Sequence, residues 1–304
     1  MRQSNKFSAV KNKSLIYALI AVLFWSTVAT AFKLTLRGMT SSQLLFYSSF
    51  VSALVLYFIA IKESPVQLKR VFDKTELKRN IFLGLINPFI YYLILFKSYS
   101  LLPAQEAQPI NLTWPIIFSV LSSIFLNQKI SLRILFGMLI SFLGVVVIAA
   151  HGDLLGFKFK NIIGVLLALL SSFVWAVFWI INLRDKRTES VKLFGSFSCG
   201  TIFTGIYILF FDSFDLFQIK YLFGAVYIGL FEMGITFFIW SKALALSEDK
   251  AKTSTIIYLF PVISMFLIVF VLGEKLLVSS IIGLVLIIGG ILFQQLYGRI
   301  RKNV

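Results

Sequence analysis

Glu232 is an acidic residue near the centre of a long apolar stretch, residues 219–241, and a carboxylate in such a place has few chemical uses. Holding a charge in hydrocarbon costs about 2.5–3.5 kcal/mol even on the lower insertion scales. It can therefore be expected to carry a proton, to meet an amine on a solute, or to pair with a lysine such as Lys33, Lys97 or Lys242. Ala225, Gly229, Glu232, Thr236 and Trp240 recur at helical spacing, which predicts one face of small and polar residues suited to a wet cavity.

Further polar and aromatic residues fall into the same kind of pattern. Ser171, Trp175, Phe178 and Asn182 align on one helical face; Asn87 aligns with Tyr91, Asn111 with Trp114 or Pro115 and Phe118, and Tyr258 with Pro261. Convergent aromatics and amides would hold an organic molecule by stacking and a few hydrogen bonds. Lys97 and Lys242 stand near helix ends, where long side chains snorkel to the interface. Turned inward, either would meet an anionic group, and together with Glu232 would describe a zwitterion such as an amino acid. Pro88, Pro115 and Pro261 interrupt apolar stretches and can act as gate hinges or as simple kinks.

Enzymatic chemistry has little support. His151 and Asp153 share a loop, but one histidine without cysteine or further histidine partners makes a poor metal site, and no nucleophile motif accompanies it. No phosphate-binding loop of the ATPase type is present, no cofactor is expected, and the single Cys199 rules out an intramolecular disulfide.

The elements that must position these residues are membrane helices. The chain of 304 residues is 59% hydrophobic and 14% charged, with a mean hydropathy of +0.90, too apolar for one soluble core with a water-facing surface. Its apolar blocks are about 20 residues long, enough to cross about 30 Å of hydrocarbon as a helix. The blocks predict an all-α polytopic membrane protein of ten transmembrane helices: 15–33, 42–61, 80–100, 106–126, 131–150, 161–182, 192–211, 219–241, 253–272 and 277–297.

The formal charge of +16 would suggest nucleic acid in a soluble chain. Here most of the 29 Lys and Arg residues fall on the side of the N-terminus, so both termini are expected in the cytoplasm, with the chain in the cytoplasmic membrane. The first apolar run is long and is followed by another, which predicts a retained helix rather than a cleaved signal.

The chain also repeats itself. "WPIIFSVLSSIFLNQKI" begins at residue 114 and "FPVISMFLIVFVLGEKL" at residue 260. A shift of 146 carries Pro115 onto Pro261, Gln128-Lys129 onto Glu274-Lys275, Gly137 onto Gly283 and Gly144 onto Gly290. A shift of 150 carries Trp25 onto Trp175. The expected organisation is a basic tail at 1–14, a five-helix repeat at 15–150, a linker at 151–160, a second repeat at 161–297 and a tail at 298–304. Five is odd, so the second copy enters the membrane inverted, the arrangement that lets one central site open to each side in turn.

The order and spacing of these features, with "LGEKL" followed by "GLVLIIGG" and a Trp in the first helix of each half, resemble the drug/metabolite transporter superfamily, EamA type. The resemblance covers residues 15–297. It implies secondary transport of a small-molecule substrate, export rather than uptake, through a cavity lined by helices one to four and six to nine. Helices five and ten would pack together, as the glycines at 137, 144, 283 and 290 independently suggest. Where the family has Gly-Glu, the first half has "NQK", which leaves Glu274 as the acid of that motif and points to a structural role at a helix end.

The favoured substrate is an amino acid or related amine-bearing metabolite, with proton coupling as one possibility. The rival within transport is a carrier of cationic drugs, quaternary amines or S-adenosylmethionine; outside it, a membrane scaffold. Membrane lipids are expected partners, nucleic acid is not, and the chain is expected as a monomer or homodimer.

Overall fold

The computed structural model describes residues 2–125, 132–150, 161–182, 184–214, 218–247, 253 and 256–300. Gln128-Lys129, the 151–160 linker with His151 and Asp153, and residues 301–304 lie outside the described residues. Every regular element among the described residues is helical. Lys13–Thr35, Ser41–Glu63, Lys74–Leu101, Ile162–Asn182, Glu189–Phe211 and Ile219–Leu246 are long and apolar enough to cross a membrane, and Leu135–Ala149, Ile256–Leu272 and Val278–Phe293 are shorter apolar helices. Large apolar side chains lie bare on the outside, among them Phe210, Phe211 and Phe270, which suits a hydrocarbon solvent and would be ruinous in water.

The chain divides into two compact units, Met1–Phe89 with Arg187–Leu272, and Ile90–Lys186 with Gly273–Val304. Each unit draws on both halves of the sequence.

The first unit contains α1 (Arg2–Thr35), α2 (Ser41–Glu63), α3 (Pro65–Lys69) and α4 (Lys74–Gly84). A π-type turn from Leu85 follows α4, with the Asn87-Pro88 peptide cis. From the later sequence the unit takes α10 (Glu189–Phe211), α11 (Ile219–Phe231), α12 (Ile235–Leu246) and α13 (Leu259–Leu267). The α2 helix packs between α10 and α11, and α1 packs along α11, α12 and α13. Small hydroxyls make this possible, because Ser48, Ser49 and Ser52 lie fully buried on α2 and let neighbouring backbones come close.

Local chemistry fixes where α2 begins. Thr40 and Gln43 form a reciprocal capping box, each side chain bonded to the other's backbone N–H at 3.2 Å. Just beyond the end of α10, Asp212 ties this start to its neighbour: its carboxylate accepts from Thr40 Oγ1 at 2.6 Å and from Ser42 Oγ. Partial burial pushes the Asp212 carboxyl upward, but the hydrogen bonds from Ser42, Thr40 and the Ser213 backbone outweigh it, and the net shift is below the usual range.

The second unit contains α5 (Tyr91–Leu101), α6 (Ala104–Asn111), α7 (Trp114–Phe125), α8 (Leu132–Ala149), α9 (Ile162–Asn182) and α14 (Val278–Ile300). As expected from the glycine spacing, α8 and α14 lie against each other. A Cβ on Gly283 would come within 2.7 Å of the Gly144 carbonyl, and one on Gly144 within 2.6 Å of the Gly283 carbonyl. Ser141 Oγ donates across the same seam to the Ile287 carbonyl at 3.0 Å.

The expected fourth span, 106–126, is two helices, α6 and α7, separated by a turn at Leu112–Thr113. The first turn of any helix exposes orphan N–H groups. Glu274 answers for α6: its Oε1 accepts from Ala104 N at 2.9 Å and its Oε2 from Gln105 N at 3.3 Å. A carboxylate is favoured there because the helix N-terminus carries partial positive charge. The structural role expected of Glu274 at a helix end is thus met, at the start of α6. Similarly, Asn161 caps α9 through the Gly164 N–H at 2.9 Å while donating to the Leu101 carbonyl at 3.2 Å.

Two measurements test this account. Gly283→Ala should lower stability by about 1–3 kcal/mol through overpacking at a backbone contact. On the same helix, Gly289 has nothing within 4 Å of a built Cβ, so Gly289→Ala should be neutral or slightly stabilising in the same thermal assay. For Asp212, a lowered folded pKa means its contribution is present above the unfolded value of about 3.9 and is lost as pH falls through the folded one. Asp212→Asn should therefore flatten the fall in thermal midpoint between about pH 5 and pH 3 relative to wild type.

Candidate functional site

Glu232 stands at a break in the eighth span. The α11 helix ends at Phe231, residues Glu232–Gly234 form a turn, and α12 begins at Ile235. The face expected from Ala225 to Trp240 is therefore not one face of a continuous helix. Glu232 is instead the C-cap of α11, its N–H bonded to the Ile228 carbonyl at 2.8 Å, and Met233 N–H reaches the same carbonyl at 3.2 Å.

The break is held by hydroxyls. Ser52 Oγ of α2 donates to the Met233 carbonyl at 2.9 Å, and Thr236 Oγ1 donates to the Phe231 carbonyl. Gly229 allows α2 to approach, since a Cβ there would lie 2.5 Å from the Ser48 carbonyl. The half-buried Glu232 carboxylate sits at the negative end of the α11 dipole, which disfavours a second negative charge and attracts a cation.

Aromatic rings flank this turn. Trp25 meets Phe237 edge-on at 5.7 Å and Trp240 at 5.6 Å, while Phe24 lies 4.5 Å from Phe231, the residue before Glu232. Tyr227 lies 4.8 Å from Phe231 and shares a 2.6 Å hydrogen bond with Thr27. Thr27 and Tyr227 were not singled out by periodicity; their partnership joins residues 200 apart in sequence.

In the second unit Tyr91 stacks on Trp175 with centroids 4.5 Å apart, and Trp175 continues onto Phe178 at 5.5 Å. Asn111 Nδ2 donates to Ser171 Oγ at 2.9 Å. The predicted α9 face of Ser171, Trp175, Phe178 and Asn182 is buried along its whole length. Trp114, half-buried, meets Phe118 at 6.2 Å. Tyr258 is buried in a single turn of 3₁₀ helix just before α13.

The prolines mark changes of helix type. Pro88 lies in the π-type turn after α4, Pro115 in the first turn of α7, and Pro261 in the first turn of α13. In a first turn the missing N–H has no intrahelical partner to lose, so Pro115 and Pro261 start helices rather than weaken them. Asn87 is buried at 1% exposure beside Pro88, with extended rather than helical backbone angles.

Lys97 is exposed on α5. Lys242 is also exposed and faces Glu63 of α2, with Nζ 3.7 Å from Oε1, while Ser190 donates to the other Glu63 oxygen at 2.8 Å. Glu106 is a further buried acid, 1% exposed in the first turn of α6. Its position at a predicted span edge had hidden it; the Gly273–Leu277 segment, anchored through Glu274 and Gln105, covers that edge.

Helices of this length and apolarity, with bare aromatic and aliphatic side chains on their outer faces, make the chain a multi-pass membrane protein. The chain belongs to the EamA-like transporter family, whose model matches residues 12–150 and again residues 162–294. The members of that family are transporters and not enzymes.

Three curated relatives agree. An uncharacterized transporter in the sor 3′ region of Acidianus ambivalens is 29% identical over 75% of this chain and 87% of its own length. Uncharacterized transporters of Clostridium kluyveri and Archaeoglobus fulgidus are 24% and 23% identical, covering 91% and 92% of this chain and 91% and 97% of their own. A solved crystal structure superposes with a TM-score of 0.65 at 20% identity, over 96% of this chain and 99% of that one, a likeness of fold.

If hydroxyls hold the turn at Glu232, Ser52→Ala should leave the Met233 carbonyl buried without its donor. The expected loss is about 1–3 kcal/mol of stability, read as a lowered thermal midpoint, with Ser52→Thr retaining most of it.

Proposed function

We propose that this transporter moves a small amine-bearing polar metabolite, an amino acid or close relative, across the cytoplasmic membrane by alternating access, and that it works as an exporter. The observation that carries the reading is Glu232. It is a carboxylate in a helix break within an apolar span, at the negative end of a helix, on a chain segment whose neighbours Phe231, Phe237 and Trp240 contact α1. Such a group favours a proton or an ammonium over any neutral solute.

Broken helices at mid-membrane are the usual means by which secondary transporters present polar groups to solutes. The two separate matches of the family model support ten helices in two inverted repeats, with both termini cytoplasmic as the charge pattern suggests. Asn111, Tyr91, Trp175, Asn182 and Tyr258 are proposed as further contacts for the solute, and Pro88, Pro115 and Pro261 as the points where helices change course during exchange.

The ring cluster around Trp25 favours a second reading, a carrier of organic cations or quaternary amines, because an aromatic face attracts a desolvated cation by about 0.5–2 kcal/mol. The two readings differ in the solute's anionic group. The test uses the full-length protein in sealed vesicles, with radiolabelled amino acids, polyamines, quaternary ammonium ions and nucleotide sugars. Amine transport should depend on pH, and Glu232→Gln should lower it at least about tenfold, equivalent to about 1.4 kcal/mol, while the variant remains folded. Wild-type rates and pH dependence in Glu232→Gln would remove Glu232 from the mechanism; transport confined to nucleotide sugars would overturn the amine class.

A further inference from the structure

The end of α1 and the start of α11 line an open cleft of about 510 Å³ whose polar lining is all neutral or positive. Arg37, in the turn after α1, and Lys220, in the first turn of α11, supply its charge and Tyr221 a hydroxyl, while the Thr35 hydroxyl donates to the Ala31 carbonyl at 2.8 Å and the Tyr227 hydroxyl is shared with Thr27 at 2.6 Å. None of the described residues lining it is acidic, and among the described residues neither Arg37 nor Lys220 forms an ion pair. Lys220 Nζ instead lies 4.9 Å from the centre of the Tyr221 ring.

The two cations flank one cleft because two glycines let the helices meet. A Cβ on Gly38 would fall 2.0 Å from the Tyr221 ring, and one on Gly224 would fall 2.1 Å from Thr35 Oγ1. Glycines at both points seat the α11 aromatic against the α1 turn and the α1 hydroxyl against α11. The α11 helix also begins here without a side-chain cap and without an acid in its first turn. Lys220 therefore stands at the positive end of the α11 dipole, where like charge repels unless an anion is supplied, while Arg37 follows the C-terminal end of α1.

Chemistry and surroundings say what kind of anion fits. A guanidinium and an ammonium lining one cleft beside a tyrosine suit a phosphate. The walls beside it are apolar and bare, with Ile219 67% and Phe223 71% exposed, the surface that acyl chains cover. We propose that this cleft binds the phosphate headgroup of an anionic membrane lipid, with Arg37 and Lys220 on the phosphate and Phe223 along the chains.

The experiment is a lipid titration of the full-length protein in nanodiscs, starting from neutral phosphatidylcholine and adding phosphatidylglycerol, with the thermal midpoint as readout. Wild type should gain a saturable upward shift. Apparent affinity should fall about fivefold for each cation removed, the equivalent of about 1 kcal/mol per basic side chain at an anionic surface. Thus Arg37→Gln with Lys220→Gln should lose most of the shift, while Lys62→Gln, which removes an exposed charge outside the cleft, should keep it. Equal midpoints for wild type and the double variant in neutral discs show that the variant is folded; should it not fold, Arg37→Gln alone against Arg37→Lys reads the same contrast. A full shift in the double variant, or no saturable shift in wild type, overturns the proposal. So does an equal shift from inorganic phosphate in neutral discs, which would assign the cleft to a soluble anion.

Discussion

In hydrocarbon no water stands ready to bond a freed peptide group, and this one constraint accounts for most of what is unusual in the fold. Continuous helices satisfy it by themselves, but this chain breaks its eighth span at Glu232–Gly234, and polar side chains serve that break and several helix starts. Ser52 and Thr236 take the carbonyls loosened at Glu232–Gly234. Glu274 takes the N–H groups at the start of α6, and Asn161 serves both the start of α9 and the end of α5. Buried Ser, Thr, Asn and Glu are thus the groups that make irregular backbone tolerable, and irregular backbone is what brings polar chemistry into the membrane layer.

The same constraint shapes helix packing. With lipid as apolar as leucine, burial of aliphatic surface gives little reason for two helices to associate, and close backbone approach becomes the main source of attraction. Gly144 and Gly283 show this between α8 and α14, and the serines of α2 show it between α10 and α11. Where glycines bring charged ends together instead, as at Gly38 and Gly224, the result is a cationic cleft.

Charge follows a consistent division. Groups at helix ends are paired or exposed: Glu63 with Ser190 and Lys242, Arg187 with Glu76 at 3.1 Å, Lys192 with Glu189 at 2.6 Å. The exposed Lys242–Glu63 pair contributes little to stability, so its value lies in orienting the ends of α2 and α12, whereas Lys192 and Arg187 are largely buried in their pairs. Glu232 is different because it lies within an apolar span, where a carboxylate is costly enough to call for a function or a fixed structural partner.

The sequence by itself determined the class of structure, because hydropathy blocks of membrane length and glycine spacing are local patterns whose meaning does not depend on distant contacts. It also marked the α8–α14 seam, a structural rather than transport role for Glu274, and the aromatic and amide residues that the second unit gathers, Tyr91 with Trp175 and Asn111 with Ser171. Tertiary structure decided the break at Glu232–Gly234, which no proline marks. Nothing in the run from Ala225 to Trp240 announces an interruption at Glu232, since it is stabilised by Ser52, a residue 181 positions away from Met233. Likewise, Pro115 begins a helix because Thr113 ends a turn before it, and the start of α6 is capped because the segment after Gly273 brings Glu274 to it. Periodicity reads each helix as if it were alone; a break inside the membrane depends on which distant hydroxyl or carboxylate arrives to satisfy it.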